Sequence, residues 1–525
     1  MSLTRLKTSP AFHSLVGANF FFLGQAAWHR RPGFLHCRPL SSTSTLGDDQ
    51  QQQERKEARP LQKHQASENK PRQQREDDVS NFSLPPGWED DPNYHITAFS
   101  QLPHRFFGYN QHIRVNEDFK EALRQILWQF RAPIRYAFAY GSGVFGQKKS
   151  ASSQSNSSSV TEEELSPHPN PPRAVEEWQK GGAKIIDFIF GVSHTQHWHS
   201  LNLTQHPDHY SFLRHLPYSS AAISHLQDDF GAGVYFNPYI TVNGVMIKYG
   251  VVNLDTLASD LSEWRTLYLA GRLHKPVKIL RDDPRIRLAN QVNLISALRV
   301  ALLMLPERFT ERDLYERIAG LSYMGDPRMN PYLSAENPQK VGNIVGAQLP
   351  GFRQLYVPLI ENLPNVAFDD PRTPREPAWE KEDAIRHTGS NPNLSNDILG
   401  GPSGLTLRQD LDPRPRGNMV RRLPASFRSK LYYQYKKKFG LPGSAFTDVL
   451  EQARDEDPEG FKRREGGEFE RRVAMQEDLP EVVARCVRAT VVWPAVAQTL
   501  KGPLTAGVCK GWRYWREKRE KGKRG

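Results

Sequence analysis

Hydrophobic and polar positions along this chain first fall into a helical period, then into strands, then into helices again. Phe119, Leu123, Ile126, Leu127 and Phe130 recur three or four apart, which predicts a helix. Ile134, Tyr136, Phe138 and Tyr140 then alternate with other residues, a period-2 strand that runs straight into Gly141-Ser142-Gly143. A second strand spans 184–190 and is apolar apart from Lys184 and Asp187. Between 234 and 252, two β-rich runs flank Asn243-Gly244, a strong short-range hairpin signal, and Lys248 falls in the returning strand. Val292, Ile295, Leu298, Leu302 and Leu305 make one helix face. Thr310 with Asp313 can form a capping box that opens a helix burying Leu314 and Ile318. A third helix follows Pro338, with Val341, Ile344 and Val345 inward. The pattern predicts an α+β protein: a mixed-sheet domain over 81–285, then a compact helical domain of three short helices over 286–365.

Composition changes the picture mainly at the ends and between these blocks. The chain has 525 residues, 38% of them hydrophobic, with 70 Lys+Arg against 58 Asp+Glu and three cysteines. Cys37, Cys486 and Cys509 cannot supply a disulfide framework and do not sit at metal-ligand spacing. No run approaches the roughly 20 apolar residues needed to span a bilayer. A secreted disulfide scaffold, a zinc finger and an integral membrane protein are thereby excluded. Residues 1–47 lack Asp and Glu but carry Arg5, Lys7, Arg30, Arg31 and Arg38, as a mitochondrial transit peptide would. The leader is expected to continue disordered to about 80. Residues 148–173 read as a disordered Ser-rich insertion, 366–420 as a disordered linker, and 421–525 as a basic, amphipathic C-terminal region.

A strand ending in Gly141-Ser142-Gly143 offers backbone N–H groups with no side chain in the way, the kind of nest a triphosphate needs. It matches neither a Walker loop nor a dinucleotide fingerprint, and taken alone such a string is most often an ordinary turn. Asp187 is costly inside an apolar strand unless it is paired, binds a cation, or faces solvent at an edge. Lys248 is either a phosphate contact or a solvated strand lysine. Taken together, turn, carboxylate and lysine describe a metal-assisted nucleotidyl transfer site, with Asp187 on Mg2+ and Lys248 on phosphate. His194, His197, His199, His206, His209, His215 and His225 invite a structural-metal reading, but Cys ligands are lacking and polar loop contacts are the expectation.

Beyond these local patterns, the chain resembles the mitochondrial phosphatidate cytidylyltransferases, also called translocator assembly and maintenance proteins. The strings that carry the resemblance begin with Tyr136-Ala-Phe-Ala-Tyr-Gly-Ser-Gly-Val144, Ile186-Asp-Phe-Ile-Phe-Gly-Val192, His199-Ser-Leu-Asn202 and His209-Tyr-Ser211. Gly231-Ala-Gly-Val-Tyr-Phe-Asn-Pro238, Lys248-Tyr-Gly-Val251 and Tyr268-Leu-Ala-Gly-Arg-Leu-His-Lys-Pro-Val-Lys278 continue it. Ser322-Tyr-Met-Gly-Asp326, Glu336-Asn-Pro-Gln-Lys-Val341 and Gln498-Thr-Leu-Lys-Gly502 follow in order. The resemblance implies a nucleotidyltransferase-like domain followed by a winged-helix-like one. It implies a reaction joining CTP to phosphatidic acid with Mg2+ at the matrix face of the inner membrane, feeding phosphatidylglycerol and cardiolipin synthesis. It implies catalytic roles for Asp187 and Lys248, with Asp187 as metal ligand, a triphosphate cradle of Gly141, Ser142 and Gly143, and phosphate or metal contacts from Arg272, Lys275 and Asp283. The wider nucleotidyltransferase pattern carries D-x-D, whereas position 189 is Ile, so further ligands are sought in Asp255, Asp283 or the CTP itself.

A substrate held in a bilayer gives the basic C-terminus a purpose. Residues 501–525 carry nine Lys/Arg against two Glu, with Trp512, Tyr514 and Trp515 among them. Upstream, Val483, Val487 and Val491 form an apolar stripe ending at Pro494, and Tyr432, Tyr433 and Tyr435 interleave the basic run 421–438. The expected partner is an anionic membrane surface, bound peripherally, rather than nucleic acid. An RNA nucleotidyltransferase and a non-enzymatic import-assembly scaffold are the competing readings.

Overall fold

A computed structural model describes residues 96–145, 185–329, 337–369, 404–453 and 465–507. The expected transit peptide, the Ser-rich insertion and the Trp512–Trp515 segment lie outside the described residues.

Asn116 opens α1 (Glu117–Trp128): its side-chain oxygen accepts from the Asp118 and Phe119 amides at 2.8 and 3.3 Å. The strands follow as β1 (Tyr136–Tyr140) and β2 (Ile186–Val192), then α2 (Thr195–Gln205) and α3 (Ser219–Asp228). The hairpin forms as its turn chemistry requires. β3 (Val234–Val242) and β4 (Val245–Asn253) join through Asn243 and Gly244, both at positive φ (48° and 73°). α4 (Leu254–Glu263), the single turn α5 (Ala270–Leu273) and β5 (Lys278–Arg281) complete this part.

The five strands form one mixed sheet in the order β3-β4-β2-β1-β5, with β2 and β4 parallel and every other pair antiparallel. Alternation divides its faces. Phe188, Phe190, Tyr249 and Val251 point toward α1 and Trp198 of α2. Phe138, Ile189, Val234 and Val252 pack with α4 and with the central helix α6 (Pro284–Met304), which is buried on nearly all sides.

The helical part follows the sequence pattern and then departs from it. Thr310 and Asp313 form the expected capping box at α7 (Glu311–Gly320), exchanging hydrogen bonds of 3.1 and 3.0 Å. Ile344 and Val345 of α8 (Lys340–Glu361) are buried. The helices are not all short: α6 has 21 residues and α8 has 22, with non-helical backbone at Gln348 marking a kink before Pro350. A small antiparallel sheet joins them, β6 (Arg308–Thr310), β7 (Val366–Phe368) and β8 (Thr406–Gln409) in the order β6-β8-β7. The expected linker 366–420 is therefore folded at both of its described ends. Leu407 is fully buried, and α9 (Pro413–Arg421) follows with Met419 and Val420 in the core. Strands of three or four residues paired across tens of residues leave no local period to read.

The C-terminal region also differs from expectation. Phe427, Leu431, Tyr432 and Tyr435 of α10 (Ala425–Phe439) are buried. α11 (Gly443–Gln452) and α12 (Glu468–Ala474) close around this helix: Arg428 donates to the Ala453 carbonyl at 2.6 Å, and Tyr432 donates to Glu470 Oε1 at 2.6 Å. The basic, Tyr-interleaved run 421–438 is thus divided: Arg421, Arg428, Tyr432 and Tyr435 are buried, whereas Tyr433, Lys437 and Lys438 are exposed. α13 (Leu479–Ala506) buries Val483, Val487 and Val491 and runs on through Pro494 and Pro503 rather than stopping at the first proline. One hydrophobic cluster runs from Ile113 to Val491, so the expected boundary at 285/286, which falls beside the α6 N-cap, does not separate two cores.

Candidate active site

The site lies where β1 ends. Gly141 leaves the strand at φ 82°, a conformation that favours glycine, and its carbonyl accepts from the Val144 and Phe145 amides at 3.0 Å each. A Cβ on Gly143 would run into the Ile185 carbonyl and stand 2.8 Å from the Ile186 Cα, so only glycine lets the turn fold onto the start of β2. Ser142, between them, is exposed. The register sets Tyr140 opposite Asp187 on one side, and Asp187 opposite Lys248 on the other. Lys248 Nζ stands 3.5 Å from Asp187 Oδ1, with the two side chains 19% and 29% exposed. A Cβ on Gly141 would lie 3.3 Å from the second carboxylate oxygen, Oδ2. The carboxylate therefore sits against the glycine turn, with solvent access for a ligand.

Aromatic rings steer the cations. Lys248 Nζ lies 4.7 Å from the centroid of Phe236, and the Arg272 guanidinium lies 5.9 Å from the same ring and 4.0 Å from Tyr268. Arg272 Nε donates to Tyr140 Oη at 3.3 Å, and Nη1 donates to the Tyr268 carbonyl. Lys275 follows one turn later and donates to the Gly271 carbonyl and to Ser322 Oγ (3.1 Å). Its burial, then the neighbouring Arg272 and Lys340 charges, push this amine from an ordinary lysine's 10.5 down to about 7.

That depression has a measurable sign. Between about pH 7 and 10.5 the folded chain holds fewer protons at Lys275 than the unfolded chain does. Stability should therefore rise with pH across that window, and Lys275→Met should flatten this part of the profile. Thermal melts of both proteins from pH 7 to 10 check it, and parallel profiles would contradict it.

The loop carrying Tyr268 and Arg272 is set by a residue absent from the sequence argument, Asp260. Its buried carboxylate accepts from Thr266 N and Oγ1 (2.9 and 2.8 Å), Leu267 N (3.0 Å), Leu269 N (3.0 Å) and Ala270 N (3.1 Å). These bonds hold a loop that includes Leu267 at φ 57°. Nothing in the local sequence marks a helix Asp that gathers amides six to ten residues downstream.

The structure thus brings together Gly141, Ser142, Gly143, Asp187, Lys248 and Arg272, with Lys275 adjoining. It does not bring Asp283 or Asp255 to them. Asp283 caps α6, accepting from the Arg285 and Ile286 amides at 3.1 and 3.4 Å, and pairs with Arg135 beyond the other end of β1. Asp255 pairs with Arg285 at 2.5 Å, just past the β4 end remote from Lys248. Neither can share an ion with Asp187. Ile189 is fully buried between Phe138 and Gly250, a place that would not tolerate an ionised carboxylate.

On the other sheet face, His199 bonds Tyr210 Oη and Gln227 Oε1 (2.9 Å each), and its burial holds it down at about 4. His206, Asp208 and His209 are close enough to invite a metal. The two imidazoles, however, stack 4.4 Å apart and 4° from parallel, and His209 Nδ1 is bonded to Tyr249 Oη at 2.8 Å. Lone pairs lie in the ring planes, so parallel rings do not converge on one ion. These histidines make polar contacts, as expected.

A mixed sheet with a glycine turn, a strand carboxylate and clustered cations at one end is nucleotidyltransferase-like. Comparison with known proteins agrees. The family model for mitochondrial phosphatidate cytidylyltransferase matches residues 123–521. The protein of that name from Schizosaccharomyces pombe is 41% identical over 290 residues, covering 55% of this chain and 65% of its own length. Those of Xenopus laevis and Danio rerio are 34% and 33% identical, covering 74% and 75% of this chain and 91% and 96% of theirs. The chain belongs to the mitochondrial phosphatidate cytidylyltransferase family of enzymes.

Proposed function

We propose that this chain transfers the cytidylyl group of CTP to phosphatidic acid, releasing pyrophosphate and giving CDP-diacylglycerol for phosphatidylglycerol and cardiolipin synthesis. The single observation that carries this reading is the Asp187–Lys248 pair set against the Gly141–Gly143 turn, beside Arg272. An acceptor phosphate oxygen, already anionic at neutral pH, bonds to the α-phosphorus while the bond to the bridging oxygen of the β-phosphate breaks. The chemistry needs alignment and charge neutralisation more than a general base. The turn amides and Ser142 cradle the triphosphate, Lys248 and Arg272 neutralise its oxygens, and Asp187 is the protein ligand for Mg2+. Asp187 would hold that ion, and substrate phosphates and water would fill the rest of its coordination. When bound, it supplies charge neutralisation on the triphosphate.

The proposed place of action is the matrix face of the mitochondrial inner membrane, reached by the basic leader and held peripherally. Among the described residues no helix is long and apolar enough to cross a membrane. The α13 residues Trp493, Leu500 and Leu504 are exposed, as is Phe212, whose neighbour Ser211 donates to the Leu504 carbonyl at 2.6 Å. Such a patch, followed in the sequence by the basic run 508–525, suits an anionic lipid surface. The test is incubation with phosphatidic acid liposomes, labelled CTP and Mg2+. Label entering the lipid phase and lost with EDTA is the expected result. No lipid label, but label entering added RNA, would favour the polymerase reading. Liposome binding without transfer would favour the scaffold.

A further inference from the structure

The turn α5 that presents Arg272 is four residues long, and a single helical turn does not hold itself together in water. Its N-terminal amides are held by Asp260. Its inner face is held by a fully buried residue of the central helix α6, Asn293. Asn293 Nδ2 donates to the Ala270 carbonyl at 3.1 Å and to Asn290 Oδ1 at 3.2 Å. Its Oδ1 accepts from Trp264 Nε1 and from His274 Nε2, each at 2.9 Å. Both donors and both lone pairs of this amide are therefore used. An indole N–H only donates and a carbonyl only accepts, so the amide has one possible orientation. His274 must then carry its proton on Nε2. Burial, and after it the Lys275 charge, hold this imidazole down at about 3, so the ring stays neutral. Tyr356 Oη of α8 closes the far end of the turn, donating to the His274 carbonyl at 2.9 Å.

Ala270 and His274 are four residues apart and share the face of the turn toward α6. Arg272, two residues on from Ala270, is turned about 200° away from it. There it meets Tyr140, Tyr268 and Phe236. Whatever shifts the inner face of so short a turn also shifts the guanidinium on its outer face. We propose that Asn293 is a positioning residue for cytidylyl transfer, clamping α5 through Ala270 and His274 so that Arg272 meets the triphosphate. The assignment rests on the cytidylyltransferase reading above. Asn293 does not itself reach a substrate, because it is fully buried; it acts through α5. Removing its side chain strands Trp264 Nε1 and His274 Nε2 in the core, and α5 regains partners only by moving.

The test is a double-mutant cycle in the full chain, Asn293→Ala with Arg272→Gln. It reads kcat/KM for CTP per folded molecule, with phosphatidic acid liposomes and Mg2+. Asn293→Ala alone should lose about 10- to 100-fold, the scale of a misplaced positioning group. On the Arg272→Gln background it should cost no more than about twofold, because the group it positions is gone. A merely structural asparagine would leave turnover per folded molecule unchanged, and losses that multiply would mean a route other than Arg272. Either result overturns the assignment. If Asn293→Ala does not fold, His274→Leu takes its place in the cycle and strands fewer groups. His274→Gln, whose amide nitrogen can donate to Asn293 Oδ1 as Nε2 does, should then restore most of the rate; no restoration would count against the clamp. Calorimetric titration with CTP, which needs no turnover, should follow the same cycle, weakening in Asn293→Ala only while Arg272 is present. A wild-type chain that binds CTP but transfers nothing to lipid would remove the reaction reading, and the titration alone would then decide the positioning role. One that does neither would overturn both.

Discussion

Asp187→Asn is expected to lower cytidylyl transfer about 10³-fold, the scale of several kcal/mol of metal-borne charge stabilisation. The thermal melt should stay nearly unchanged. The two expectations have one cause. Asp187 is not a core residue: its side chain is 29% exposed, and among the described residues it pairs with Lys248 at 3.5 Å. A partly exposed pair held at that distance contributes about 1 kcal/mol or less to folding. The amide keeps the shape of the side chain and the register against Tyr140 and Lys248, but it loses the charge that, in the proposed mechanism, would hold a cation beside the triphosphate. Steady-state rates alongside melts check the claim. Activity within about tenfold of wild type would move the metal assignment to another group.

Asp260→Ala is expected to have the largest effect on stability, about 3–5 kcal/mol, because it strands buried backbone donors at Leu267, Leu269 and Ala270 at once. Asp260→Asn should fall between. Its oxygen can still serve Thr266 and Leu267, but its NH2 would face the Leu269 and Ala270 amides, donor against donor. Both variants should lose turnover beyond their loss of folded protein, since Arg272 hangs from this loop and small displacements of a positioning group are costly. Denaturant unfolding, with turnover measured per folded molecule in conditions where both variants are native, separates the two effects. A stable Asp260→Ala would contradict the hydrogen-bond account.

What could be read in the sequence was whatever leaves a local period. The helix before β1, the strands ending in Gly141 and holding Asp187, the Asn243-Gly244 hairpin and the Thr310–Asp313 cap all announce themselves within a dozen residues. Which strand lies beside which is not local. Asp187 meets Lys248 because β2 pairs in parallel with β4, across about sixty residues, and no pattern states that register. The same reason hid β7 and β8, and with them the folded ends of the expected linker. The basic run 421–438 was misleading because charge suggests a surface, whereas Arg421 and Arg428 are buried against carbonyls and Glu470. Asp283 did carry a usable signal. An Asp immediately before Pro284 is the ordinary start of a helix, and that is the role it fills.

The most direct test of the central claim offers the full chain all four labelled nucleoside triphosphates in parallel, each with Mg2+, phosphatidic acid liposomes and RNA in the same tube. The account predicts label in the lipid phase from CTP alone, lost with EDTA and lost in Asp187→Asn. Label in RNA, or lipid label that Asp187→Asn leaves intact, would contradict it.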